Sequence, residues 1–140
     1  MDAATRGAGV SRRTAIAAAV AGWGGAARAQ DSAERRWFEA AEAMRQRALS
    51  WGDQPYGAVL VLDGAIVGEG PSRVVLNNDP DAHAEREAIR DAQQRLGRQR
   101  LAGSVLYSTS RPCMLCREAA GQAGVSRMVF GVPVAAAPGP

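Results

Sequence analysis

His83-Ala84-Glu85 and Pro112-Cys113-Met114-Leu115-Cys116 are the two strings in this chain whose side chains could do chemistry together. His83 is the only histidine, and Cys113 and Cys116 are the only cysteines. One imidazole and two thiolates suit Zn2+, and three protein ligands with one coordination position open describe a catalytic zinc site rather than a structural one. The open position takes a water, which the metal acidifies toward a pKa of about 7. Glu85 is then free to act as a proton carrier instead of a ligand. Each string alone has a plainer reading. A C-x-x-C at a helix start is also a dithiol redox motif, and a lone histidine on a helix is more often structural. The redox reading leaves His83 and Glu85 without a role, so the two strings together favour zinc.

Chemistry of this kind needs both strings in the first turns of helices. Cys113 and Cys116 are three apart and would share a helical face. Backbone amides and the dipole at a helix N-terminus favour the metal-binding thiolate. Glu85 is too close to His83 to share its face in mid-helix, but in a first turn both side chains reach a metal lying off the helix end.

The surrounding pattern supplies such helices. Trp37, Ala41, Met44 and Ala48 recur at helical spacing and predict an amphipathic helix from Glu34 to about Ser50, with Trp37 and Phe38 as core. Gly52-Asp53-Gln54-Pro55 breaks the chain. Ala58 to Leu62 is a continuous apolar run, the mark of a strand covered on both faces. Asp63-Gly64 is a hairpin turn signal, and Ala65 to Glu69 returns as a second strand. Asp79-Pro80 reads as an N-cap followed by proline at the first helical position. The helix it opens runs to about Leu96, with Ala88, Ile89, Ala92 and Leu96 facing inward, an Asp91–Arg95 pair, and Gly97 as its stop. Ser104–Ser108 is a third strand. Pro112 and Cys113 open a short helix with a small inner face of Ala119, Ala120 and Ala123, and Ser126–Phe130 is a fourth strand. In the order α-β-β-α-β-α-β, the last two crossovers imply parallel, right-handed connections. Sites in open α/β sheets gather beyond the carboxyl ends of strands, where both strings fall.

Length and charge bound the rest. A chain of 140 residues holds one domain with one core. Its net charge of +3 comes from the N-terminus: residues 1–29 hold four arginines against one acid, and residues 30–140 hold thirteen against thirteen. Ser11-Arg12-Arg13-Thr14, an Ala- and Gly-rich run, and Ala27-Arg28-Ala29 together read as a twin-arginine-type signal peptide over 1–29, cleaved before Gln30. A plain Ala-rich tail is the alternative. The run is too short to span a bilayer. The expected organisation is a leader at 1–29, a catalytic domain at 30–132 and a disordered Pro- and Ala-rich tail at 133–140. The expected compartment is the periplasm, or the cytoplasm if the leader is not a true signal. Folded export would let the thiols load metal before an oxidising compartment could join them.

From about Pro55 to Val132 the chain resembles the cytidine deaminase-like superfamily, most closely its branch of bacterial guanine deaminases and tRNA adenosine deaminases. Pro55-Tyr56-Gly57-Ala58-Val59, Asn78 through Glu85 and Ser108 through Cys116 carry the resemblance, and H-x-E…P-C-x-x-C is the zinc deaminase signature. The resemblance implies a three-layer α-β-α sandwich around a five-stranded mixed sheet, one zinc on His83, Cys113 and Cys116, and Glu85 as proton shuttle. It also implies substrate contact at the backbone N–H of Ala84 and near Tyr56. The substrate-binding asparagine of this branch usually sits eleven residues before the zinc histidine; Ser72 occupies that position. Arg111 replaces the acid usually found before the Pro-Cys pair. The family's fifth strand and C-terminal helices have no counterpart here. A partner subunit that completes the pocket, an unusually open site and a truncated relic are the alternatives.

The expected activity is hydrolytic deamination of a small nucleobase or nucleoside, with a guanine-like purine favoured. In it, water activated at the zinc attacks the aminated ring carbon, Glu85 moves the protons and ammonia leaves. Cytosine or another aminated heterocycle is the alternative substrate, and a zinc-binding domain without catalysis is the alternative of another class. A homodimer is expected, with no nucleic-acid partner, since the mature chain has no net positive charge, and no membrane contact beyond export.

Overall fold

Gly57 through Val61 are buried at every position, because β1 (Gly57–Leu62) has a neighbouring strand on each edge and helices on both faces. The computed structural model describes the backbone of residues 12–131 and side chains from 31 to 131. Two units divide the chain at Ala33/Glu34. The larger one holds the sheet, with β2 (Ala65–Pro71), β3 (Val105–Ser108) and β4 (Arg127–Phe130) beside β1. The strand order is β2-β1-β3-β4. β1 runs antiparallel to β2 and to β3, and β3 runs parallel to β4. β2 and β3 therefore point the same way, as the helical crossover requires, with β1 inserted between them. Four strands lie among the described residues; the implied fifth is not among them.

Alternation along β1 and β3 sorts side chains into two cores. Val59, Val61 and Tyr107 pack with Trp37, Ala41 and Met44 of α1 (Arg12–Ser50). Ala58, Leu60 and Leu106 pack with Ala84, Ala88, Ile89 and Ala92 of α2 (Ala84–Leu96) and with Ala120 and Ala123 of α3 (Met114–Ala123). The result is the expected three-layer α-β-α sandwich with a mixed sheet. The hairpin turn is where expected, with Asp63 at φ 50° and Gly64 at φ 74°, the positive-φ pair that a two-residue hairpin demands. Gly97 closes α2 in the left-handed region at φ 64°.

Two boundaries differ from expectation. α1 begins at Arg12 rather than Glu34, since the intervening segment is rich in alanine and free of proline. The expected leader thus falls on residues 1–11, outside the described residues, and on the backbone of α1; the expected tail, 133–140, also lies outside them. α2 begins at Ala84 with His83 as its N-cap, not at Asp79-Pro80. The Asp79 side chain instead closes a local turn: its Oδ1 accepts from Asp81 N at 2.9 Å, and Ala82 N donates to Asp79 O. Among the described residues no helix is long and apolar enough to cross a membrane.

Small residues let α2 lie directly on β2. A methyl group at Gly70 would collide with the Ala84 carbonyl and come within 2.9 Å of the Ala88 side chain. Gly70→Ala is therefore expected to lower stability by about 1–3 kcal/mol, the usual range for overpacking, as read by denaturant unfolding.

Candidate metal centre

His83 and Cys113 share one local device: each is the N-cap of its helix, with extended backbone angles (φ −65°, ψ 151° and φ −71°, ψ 169°). An N-cap side chain projects beyond the helix end, so the starts of α2 and α3 aim their ligands at one point. Cys116, three residues on, turns back toward that point; its amide donates to Cys113 Sγ at 3.4 Å. His83 Nδ1 lies 3.5 Å from Cys113 Sγ and 3.4 Å from Cys116 Sγ, and the sulfurs are 3.2 Å apart. A tetrahedral ion with ordinary Zn–S and Zn–N bonds would hold its ligands about 3.8 Å (S–S) and about 3.6 Å (S–N) apart. The observed triangle is slightly tighter and fits. Neither cysteine is in a disulfide.

The donor set also fits a cation chemically. Burial pushes the Cys116 thiol well above the ordinary thiol range, and the neighbouring Cys113 and Glu85 push it the same way. Anionic sulfur is costly in that spot until a positive charge arrives. Cys113 is exposed and His83 half-buried, so one side of the centre opens outward.

Glu85 occupies the second position of α2 and is only 4% exposed. Its Oε1 accepts from Ser108 Oγ at 2.6 Å, and its Oε2 lies 3.7 Å from Cys116 Sγ. The carboxylate is thus fixed beside the ligand triangle while remaining outside it. Ala84, also buried, is the first helical residue, and amides in a helix's first turn have no intrahelical acceptor. Tyr56 is 41% exposed and immediately precedes β1, whose Gly57 amide donates to Thr109 Oγ1 on the loop leading to Cys113. Arg111 is exposed on the same loop.

Ser72 is bonded within the fold. It is fully buried, its hydroxyl donates to Asp53 Oδ1 at 2.9 Å, and its amide donates to Tyr56 O. Two residues to which the sequence assigns no functional role matter here. Ser108 ends β3, on the face that Leu106 turns toward α2 and α3; a polar residue there, at a strand's carboxyl end, was the available signal. Asp53 lies in the break after α1, where an aspartate signals only a turn. Burial would raise its carboxyl's pKa, but donors at Leu76, Gln54, Ser72 and Val75 outweigh that and hold it below the usual carboxylate range. The stability it contributes is present above the ordinary carboxylate pKa and is lost as pH falls through its own lower value.

Known proteins resemble this chain in sequence and fold. The model of the cytidine and deoxycytidylate deaminase zinc-binding region matches residues 31–132. A tRNA-specific adenosine deaminase from Buchnera aphidicola subsp. Baizongia pistaciae is 44% identical over 80 residues, covering 57% of this chain and 49% of the relative. A guanine deaminase from Bacillus subtilis is 50% identical over 62 residues, covering 44% of this chain and 40% of the relative. The chain thus spans about half the length of these relatives. The X-ray structure of a Bacillus subtilis guanine deaminase superposes with a TM-score of 0.66 at 36% identity, covering 69% of this chain and 62% of that one. Sequence match, fold and the His83–Cys113–Cys116 triangle agree, and the chain belongs to the family defined by the cytidine and deoxycytidylate deaminase zinc-binding region.

Proposed function

We propose that this protein is a zinc-dependent hydrolytic deaminase of a small nucleobase or nucleoside, with a guanine-like purine as the favoured substrate. The observation that carries the reading is the Glu85 carboxylate, buried and held by Ser108 next to a His-Cys-Cys triangle it does not join. His83, Cys113 and Cys116 would hold the metal. When bound, zinc supplies Lewis acidity at the reacting centre and lowers the pKa of water there. Water adds at the aminated ring carbon, and the exocyclic C–N bond breaks with release of ammonia. Glu85 takes the water's proton, gives it to the ring nitrogen, and delivers the next to the departing amine. The Ala84 amide, in the first turn of α2, would hold the substrate ring.

Charge balance over residues 30–140 supports a small substrate over a polyanion. We further propose that residues 1–29 are a twin-arginine-type leader with a periplasmic site of action, which would favour the same choice. A second reading, adenosine within transfer RNA, draws on the relatives named tRNA-specific adenosine deaminases. The test compares kcat/KM for guanine, adenine, cytosine, their nucleosides and a transfer-RNA anticodon stem-loop. The proposal expects guanine to lead; a clear preference for the stem-loop or for cytosine overturns the guanine assignment.

Ser108 gives this reading a further check. It is expected that Ser108→Ala, which frees the Glu85 carboxylate to rotate, lowers kcat about tenfold, less than the 10²–10⁴-fold that a positioned acid–base group supplies. Ser108→Thr restores most of the loss, and steady-state kinetics at equal zinc content measures both.

A further inference from the structure

Asp53 is 6% exposed, and its two carboxylate oxygens take four hydrogen bonds. Oδ1 accepts from Gln54 N at 2.8 Å and from Ser72 Oγ at 2.9 Å. Oδ2 accepts from Val75 N at 3.0 Å and Leu76 N at 2.8 Å. Three of these donors belong to the segment that leaves β2 and ends at His83. That segment is a closed loop: Arg73 N donates to Ala82 O at 3.0 Å, and inside it Asn77 N bonds Arg73 O and Asp79 N bonds Val74 O. Its far end passes directly into the N-cap of α2.

The loop has little apolar packing of its own to hold it. Val75 and Leu76 are 59% and 51% exposed, and Asn78 stands in the left-handed region at φ 47°. Ion pairs from α2 reach this loop at 3.9 Å (Glu87 to Arg73) and 3.7 Å (Arg90 to Asp79), and the Asp53 carboxylate holds it from the other side with three shorter hydrogen bonds. Charge-assisted bonds of this kind are roughly twice as strong as neutral ones. Trp51, just before Asp53, is flanked by the Arg47 and Arg73 guanidiniums at 5.1 and 4.7 Å from its ring, which ties the loop's first residues to the same turn.

We propose that Asp53 is a positioning residue for the metal centre: by fixing Ser72, Val75 and Leu76 it sets where the loop delivers His83, and so how firmly the His83–Cys113–Cys116 triangle holds zinc. This rests on the reading of those three residues as zinc ligands. The role is structural in means but local in effect, because metal retention depends on partners that orient the ligands.

The test is the rate at which a chromogenic chelator strips zinc from the loaded full-length chain. Wild type, Asp53→Asn, Ser72→Ala and Val61→Ala are compared. Val61 lies on the α1 face of β1, at the end away from Ser108, and supplies general destabilisation without touching the loop. The expected result is zinc release at least tenfold faster in Asp53→Asn and severalfold faster in Ser72→Ala, with Val61→Ala unchanged at a comparable loss of melting temperature. Should Asp53→Asn not fold, Ser72→Ala against Val61→Ala carries the comparison. Release at the wild-type rate in the loop variants, or equal acceleration in Val61→Ala, overturns the inference while leaving the zinc site intact. A wild-type chain that takes up no zinc overturns both the inference and the reading beneath it.

Discussion

Glu85→Ala is expected to release ammonia about 10²–10⁴-fold more slowly than wild type, the contribution of a positioned general acid–base group, while retaining one zinc per chain. Two features of the geometry separate these effects. Glu85 approaches the centre only through Oε2, 3.7 Å from Cys116 Sγ, while the ligand atoms of His83, Cys113 and Cys116 lie within 3.5 Å of one another. Removing the carboxylate leaves the triangle whole. It also frees the Ser108 hydroxyl, which can turn to water entering the vacated space. Zinc content by mass spectrometry under native conditions and ammonia release on the same sample measure the two quantities together. Loss of zinc in this variant would make Glu85 a ligand and would undo the assignment of roles.

Cys116→Ser has the opposite signature: zinc itself is lost. Changing a group that merely orients a ligand costs about 10–100-fold in affinity, and replacing a buried thiolate ligand with a hydroxyl that does not ionise near neutral pH is expected to cost more. The pH dependence follows from the same residue. Burial, with Cys113 and Glu85 alongside, raises the Cys116 thiol, so the metal-free protein keeps that proton at neutral pH. Zinc must displace it, so affinity falls as pH falls, by about one power of ten per unit for that proton. Competition titrations between pH 6 and 8 test this, and an affinity independent of pH would contradict thiolate ligation.

Much of this centre is visible in the sequence because its ligands follow local rules. Two residue strings at helix starts need only the strand–helix alternation around them to meet, and that alternation shows in the apolar run of β1 and the periodic faces of α1 and α2. The start of α2 was misplaced because Asp79-Pro80 satisfies a helix-start pattern that Asp79 uses for a tighter turn. The true start, one cap residue before Ala84, is what lets His83 and Glu85 converge despite their spacing. Ser108 and Asp53 were not legible, since each acquires its role from partners about twenty residues away. The Ser72 hydroxyl's bond to Asp53 has the same origin. Gly68 and Gly70 of β2 leave the space in which α2 lies against the strand.

The most direct measurement is ammonia release by protein carrying one zinc per chain, offered guanine, adenine, cytosine and their nucleosides in turn. Ammonia appearing in step with a product that has an oxygen in place of the ring amine is the predicted result. A chain that holds its zinc on His83, Cys113 and Cys116 and releases no ammonia from any of these substrates would contradict it.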